Sequence, residues 1–89
     1  MTNKKGVFNI TLEMGGKSYK SQAETIDEAL AALNLSWEQI KYKGVIKISQ
    51  NKKTLEHLFY LGQLRRIFAN KVARFIWAKR LALLLDEQK

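Results

Sequence analysis

The 89-residue chain contains no cysteine and a single histidine, and these absences exclude several classes of site. Without Cys there is no disulfide framework, no thiolate metal site and no Cys nucleophile. His57 has neither Cys nor clustered carboxylates to accompany it in the sequence, so a metal site here would have too few ligands. The sequence therefore predicts neither a metal ion nor another cofactor.

Motifs for catalysis are also lacking. Gly15 and Gly16 precede Lys17 and Ser18, but the chain has neither the upstream glycine nor the following helix of a phosphate-binding loop. Asp27 and Glu28 are better explained as acidic residues at a helix N-terminus than as a paired general acid and base. We expect a protein that is not an enzyme and has no catalytic residues.

Long hydrophobic runs are missing as well. No apolar run exceeds five residues, as in Leu81–Leu85, whereas a membrane-spanning helix needs about 20 predominantly apolar residues. Residues 1–9 have no apolar segment after their lysines, which argues against a secretory signal. Together with the lack of Cys, these features predict a soluble cytoplasmic protein without a membrane span.

Acidic residues are scarce in the second half of the chain. Residues 1–40 carry four Lys and five acids, whereas residues 41–89 carry twelve Lys or Arg and three acids. The net charge of +8 therefore comes from the second half. Such a distribution favours a polyanionic partner, either nucleic acid or an anionic surface.

The first half is patterned for strands and one helix. Residues 8–14 alternate apolar and polar side chains, and the two glycines that follow suit a two-residue hairpin turn. Thr25 and Glu28 form a capping box before the helical spacing of residues 26–33, and Asn34 suits the helix end. Ser36 and Gln39 predict a short helical turn, and residues 43–49 predict a third strand.

The remainder is patterned as helix. Thr54 is the predicted N-cap, and Leu55, Leu58 and Phe59 follow it at helical spacing. A predicted core-facing stripe continues through Leu61, Leu64, Phe68, Val72 and Phe75. We expect a break or kink at Gly62, since an interior Gly costs about 1 kcal/mol relative to Ala.

The predicted fold is therefore α+β. Its order is a β-hairpin, a helix, a third strand, and then a C-terminal helical hairpin or one long basic helix. The order of the first elements resembles the opening of a β-grasp sheet. With no proline, linker or repeat, the sequence predicts a single domain over 1–89, with a sheet unit at 1–53 and a basic helical segment at 54–86.

The helical period places Trp77 on a basic face, opposite the core-facing stripe. Arginine binds phosphate oxygens, and an exposed indole can stack on an unpaired base. The alternative is that Trp77 packs on an element placed elsewhere and the charges keep the protein soluble. The predicted nucleic-acid-binding residues are Lys43, Lys47, Lys52, Lys53, Arg65, Arg66, Asn70, Arg74, Trp77 and Arg80.

The last helical turns suggest a second role. Leu81, Leu84 and Leu85 point in several directions around the helix, and a single small sheet cannot cover all of them. They are predicted to bind a partner protein or a second copy of the chain, or to pack into the domain itself.

The preferred function is a basic module that binds nucleic acid. RNA or a ribonucleoprotein is favoured over DNA as its partner. The alternative is an assembly module whose C-terminal helix docks on an acidic, partly apolar protein or self-associates.

Overall fold

A four-stranded antiparallel sheet forms the frame of the protein. The computed structural model describes residues 6–88, and within them the sheet has the order β2-β1-β3-β4. The strands are β1 (Phe8–Met14), β2 (Lys17–Ala23), β3 (Gly44–Gln50) and β4 (Lys53–Phe59). The helices are α1 (Ile26–Ala32), α2 (Leu61–Ala69) and α3 (Lys71–Asp86), and a 3₁₀ turn covers Trp37–Gln39. The predicted α+β fold class is confirmed.

The β1–β2 hairpin has the two-residue turn that its glycines predict. Met14 pairs with Lys17, and Gly15 and Gly16 between them have φ values of 59° and 80°. Two successive positive φ angles are typical of the hairpin turn that matches the twist of the flanking strands.

Helix caps form at the predicted positions in the first half, with one of the two bonds of the Thr25–Glu28 capping box present. The Thr25 hydroxyl accepts a hydrogen bond from the Glu28 amide at 3.0 Å, and Asn34 follows α1 with a φ of 58°. The Ser36 amide donates to Gln39 Oε1 at 2.8 Å, which begins the predicted short turn. The polypeptide then enters β3 as expected.

The helix predicted from Thr54 is wrong, because residues 53–59 form β4. Gln50 pairs with Lys53 across a tight turn in which Asn51 has a φ of 57°, so β3 leads directly into a second hairpin. Every second side chain of β4 faces the helices. These side chains are those of Leu55, His57 and Phe59. Helical and strand spacings overlap in so short a segment, and sheet pairing decided the outcome. The basic helical segment therefore begins at Leu61 rather than at residue 54.

The core lies between one face of the sheet and the three helices. Strands β1 and β3 contribute alternate residues that are almost fully buried, and α1 adds Ala29 and Leu30. The largest fully buried side chains are Ile10, Leu12, Leu30, Ile40, Ile46, Ile48, Phe59, Leu64, Ile67, Leu81 and Leu85. Leu81 and Leu85 of α3 thus complete the same core as the strands.

The C-terminal helices are separated at Asn70 and not at Gly62, which corrects the predicted break. Gly62 lies in the first turn of α2, whereas Asn70 is extended, with φ −135° and ψ 117°. The Asn70 side chain accepts from the amides of Val72 at 2.8 Å and Ala73 at 3.1 Å. It is therefore the N-cap of α3, and its side chain satisfies two amides at the start of that helix.

Replacing Asn70 with Ala is expected to lower the free energy of unfolding by about 1 kcal/mol, because two amides lose their acceptor. Urea unfolding followed by circular dichroism measures the change. Asn70→Asp is the control, since its carboxylate can accept the same bonds and should keep stability close to wild type. Equal losses in both variants would show that the cap does not determine the effect.

The break at Asn70 changes the direction of α3 relative to α2. The part of the predicted core-facing stripe that lies in α3 is therefore not buried. Leu64 is fully buried and Phe68 packs against the core, as expected. Val72 and Phe75, however, are 66% and 52% exposed. The buried residues of α3 are instead Ala73, Ala78, Leu81 and Leu85.

Candidate nucleic-acid interface

The predicted nucleic-acid-binding residues do not form one surface. Three of them make ion pairs: Arg74 Nε with Asp27 Oδ1 at 2.8 Å, Lys47 with Glu13 at 3.3 Å, and Lys53 with Asp86 at 3.8 Å. Lys52 lies in the β3–β4 turn, next to Lys53 at the start of β4. Lys47 lies on the sheet face away from the helices, and Arg74 joins α3 to α1.

Four of the predicted residues do meet, in a depression of about 310 Å³ that we call the α2–α3 hollow. Helix α2 contributes Arg66 to the hollow and α3 contributes Arg80. Among residues 6–88, neither arginine pairs with a carboxylate. The residues lining the hollow are Arg66, Asn70, Val72, Ala73, Ile76, Trp77 and Arg80.

Trp77 is not an exposed residue of a basic face. This corrects the placement predicted from the sequence. Its ring packs edge-on against Phe59, with 4.8 Å between the ring centroids, and against His57, with 5.4 Å between the centroids. Trp77 also packs against the core. The Arg80 guanidinium lies 5.1 Å from the Trp77 ring centroid. Because protein groups already contact its ring, Trp77 is poorly placed to stack on a base.

The leucines predicted to bind a partner are largely internal. Leu81 and Leu85 are 0% and 1% exposed, and Leu84 is half-buried against the core. Of the three options left open by the sequence, packing into the domain itself is the one the structure adopts for Leu81 and Leu85. Neither residue is accessible to a partner of the folded protein.

Three exposed aromatic side chains lie instead at one end of the sheet, which we call the aromatic end. Trp37 is 46% exposed, Tyr42 is 58% exposed and Tyr60 is 64% exposed. Trp37 opens the 3₁₀ turn, Tyr42 precedes β3, and Tyr60 lies between β4 and α2. None of these residues belongs to the predicted site.

Strand register places Tyr42 and Tyr60 at the same end of the sheet. Gly44 pairs with Met14 on one side and with Phe59 on the other, so the start of β3 lies between the end of β1 and the end of β4. Tyr42 and Tyr60 both emerge from this junction. The 3₁₀ turn carrying Trp37 packs against α2, which begins immediately after Tyr60.

Tyr42 lies directly against the β1–β2 turn. A Cβ atom at Gly15 would come within 2.6 Å of Tyr42 Cδ2, so any other residue would displace the ring. Gly15 also has a positive φ that side chains disfavour. Gly is therefore favoured at position 15 for two reasons, which are the positive φ of the turn and the close approach of the Tyr42 ring.

Positive charge surrounds the aromatic end. Lys17 begins β2, Lys41 and Lys43 flank Tyr42 in the chain, and Arg65 projects from α2. Arg65 Nε donates to the Ile40 carbonyl at 2.9 Å, which ties α2 to the segment before β3. Lys43 and Arg65 are the two predicted residues that the structure places here. Glu38 of the 3₁₀ turn is an acidic residue at this end.

This combination of rings and cations was not recognised from the sequence because its members come from three separate segments. Trp37 lies in the nearly neutral first half of the chain, Tyr42 begins the basic second half, and the sequence pattern predicts a helix at Tyr60. A strand assignment for residues 53–59 would have placed Tyr60 beside Lys43. Chemically, exposed rings can stack on bases while neighbouring cations contact phosphates.

Other kinds of site find no support in the part of the chain that the structure describes. Residues 6–88 contain no cluster of three or more His, Asp or Glu that could hold a metal ion. No helix among them is long and apolar enough to cross a membrane. The chain matches no protein-family model, and it matches neither a curated protein nor a solved structure.

Proposed function

We propose that this protein binds single-stranded nucleic acid, RNA in preference to DNA, through its aromatic end. The observation that carries the proposal is the presence of Trp37, Tyr42 and Tyr60, each about half exposed or more, at one end of the sheet. Large rings this exposed contribute little to the core. They are available as flat surfaces for unpaired bases.

The surrounding cations supply the second part of a single-strand interface. Lys17, Lys41, Lys43 and Arg65 can contact successive phosphates while the rings stack on the bases. Among the described residues none of these four forms an ion pair. Their charge is therefore available to a polyanion.

Single-stranded RNA is favoured over a duplex on geometric grounds. Duplex DNA is generally read by a helix or β-ribbon placed in the major groove, whereas the aromatic end presents a three-residue 3₁₀ turn and chain junctions. Stacking on aromatic rings requires bases that are unpaired, and RNA offers these in loops, bulges and ends.

Salt dependence tests the electrostatic part of the proposal. A fluorescently labelled single-stranded RNA of about ten nucleotides is titrated with protein at several salt concentrations, and anisotropy reports binding. Lys41→Gln with Lys43→Gln should weaken binding and make the log–log salt slope shallower by roughly 1.4, about 0.7 for each lost phosphate contact.

The matched control removes two lysines distant from the aromatic end. Lys20→Gln with Lys52→Gln changes the net charge by the same amount and should keep affinity much closer to wild type. Equal weakening in the two pairs would mean that only net charge matters. Absence of binding by the wild-type protein at low salt would overturn the proposal.

A further inference from the structure

The face of α3 that points away from the core is itself apolar. Val72, Phe75, Ile76 and Leu83 are between 45% and 66% exposed, and we call them the outer stripe. At about 100° per residue, all four lie within a sector of about 100° that also contains Lys79. Leu81 and Leu85, which are buried, lie on the opposite side. Helix α3 is therefore apolar on two opposing faces, and the domain covers only one of them.

On one side of the outer stripe lies a mainly apolar groove of about 280 Å³. Phe75, Ala78 and Ala82 of α3 form one wall, and Phe8 of β1 and Ile26 of α1 lie across from them. Glu24 and Asp27 stand at this groove, and Asp27 is already paired with Arg74. The groove offers apolar contact and no free positive charge other than Lys79.

On its other side the stripe meets the α2–α3 hollow. Val72 and Ile76 belong to both surfaces, so the apolar stripe continues directly to Arg66 and Arg80. No acidic residue occurs in the sequence between Glu56 and Asp86. The surface is therefore apolar along its centre and strongly basic along one edge.

We propose that the outer stripe of α3 binds an amphipathic helix of another protein that carries acidic residues along one edge. Its apolar residues would pack on Val72, Ile76 and Leu83, and its carboxylates would pair with Arg66 and Arg80. Charge complementarity specifies this partner, since the hollow supplies two arginines with no carboxylate partner among residues 6–88. The proposal rests on residues different from those of the aromatic end.

Charge also argues against a second copy of the chain as the occupant. Two outer stripes in contact would bring Lys79 and Arg80 of each copy close together, and like charges disfavour the pairing. A lipid surface is disfavoured because Lys79 lies within the stripe, over the Phe75 ring at 5.5 Å. A carboxylate of a protein partner can pair with Lys79, whereas the hydrocarbon of a membrane cannot; lipid phosphates can, so vesicle binding is one outcome of the test below.

A synthetic peptide tests the proposal without knowledge of the natural partner. The probe is a fluorescently labelled helical peptide of about 16 residues, some 24 Å long, with Leu at i, i+4, i+7 and i+11 and Glu along one flank. The control peptide has Lys in place of every Glu. The full-length protein should bind the Glu peptide and show at least about tenfold weaker affinity for the Lys peptide.

Variants locate the binding to the outer stripe. Ile76→Ser should weaken binding of the Glu peptide severalfold, whereas Leu58→Ser, which alters an equally exposed apolar residue on β4, should not. Arg66→Gln with Arg80→Gln should weaken it about tenfold with the circular dichroism spectrum unchanged. The RNA affinity of Ile76→Ser and Leu58→Ser should stay at the wild-type value, and that of the arginine pair should fall no further than in the Lys20→Gln with Lys52→Gln control, which separates this surface from the aromatic end.

Three results would overturn the proposal. One is equal affinity for the Glu and Lys peptides, or no affinity for either. Another is a stable dimer in sedimentation that Ile76→Ser dissociates, which would assign the stripe to a second copy. The third is binding to vesicles containing anionic lipid that Ile76→Ser abolishes while the Glu peptide fails to bind.

Discussion

Replacing Leu81 with Ala is expected to lower the free energy of unfolding by about 3 kcal/mol and the melting temperature by about 15 °C. Leu81 is 0% exposed and belongs to the same core as Ile46 and Leu64. Truncation removes its transfer free energy and leaves a cavity between α3 and the sheet. Since a domain of this size has a total stability of only several kcal/mol, the loss is large.

Leu83 provides a matched control on the same helix. Its side chain is 65% exposed, so Leu83→Ala should change the free energy of unfolding by no more than about 0.5 kcal/mol. Urea unfolding of the two variants, followed by circular dichroism, makes the comparison. Similar losses for both, or a larger loss for Leu83→Ala, would contradict the orientation of α3 described above.

Removing two exposed rings at the aromatic end is expected to reduce RNA affinity strongly. Stacking is worth about 1–3 kcal/mol per base, so Tyr42→Ala with Tyr60→Ala should weaken binding about 30-fold or more. The rings are more than half exposed, so their loss should affect stability little. Anisotropy titration with the labelled single-stranded RNA measures the loss.

Two controls separate stacking from general damage. Phe75→Ala removes a comparably exposed ring from α3 and should leave RNA affinity unchanged. Tyr42→Phe with Tyr60→Phe keeps both rings and should retain most of the affinity. If the Phe variant binds as weakly as the Ala variant, hydroxyl contacts rather than stacking account for the effect. Wild-type affinity in the Ala variant would contradict a role for these rings.

Local patterns in the first half of the sequence were sufficient to predict its structure. The Gly15-Gly16 turn, the Thr25 cap and the left-handed Asn34 each depend on residues within a few positions of one another. Alternation in β1 correctly separated buried from exposed side chains. Such features survive folding because the tertiary structure adds contacts without changing the local geometry.

The helix predicted at the position of β4 was wrong because the apolar spacing there suits both a helix and a strand. Leu55, Leu58 and Phe59 recur at helical intervals, yet the inward set of β4 is Leu55, His57 and Phe59. The competing strand is stabilised by pairing with β3, a partner that local periodicity does not reveal. Because a helix was predicted where β4 forms, Tyr60 was not placed at the end of the sheet, where it lies.

The position of the helix break had the larger consequence for function. Asn is a strong N-cap residue, but it is also tolerated within helices, and Gly62 gave the more obvious signal. Moving the break to Asn70 turns α3, which buries Leu81 and Leu85, packs Trp77 on Phe59 and exposes Val72 and Phe75. The basic charge of the C-terminal half was evident from sequence, but the positions of Arg74, Trp77 and Arg80 depended on the break at Asn70.

Backbone amide chemical-shift mapping with single-stranded RNA is the most direct test of the proposed interface. An isotope-labelled sample is titrated with the oligonucleotide, and shift changes are assigned along the chain. We expect the changes to concentrate at residues 15–17, 37–43 and 60–65. Changes centred on the α2–α3 hollow and α3, or no changes at saturating RNA, would contradict it.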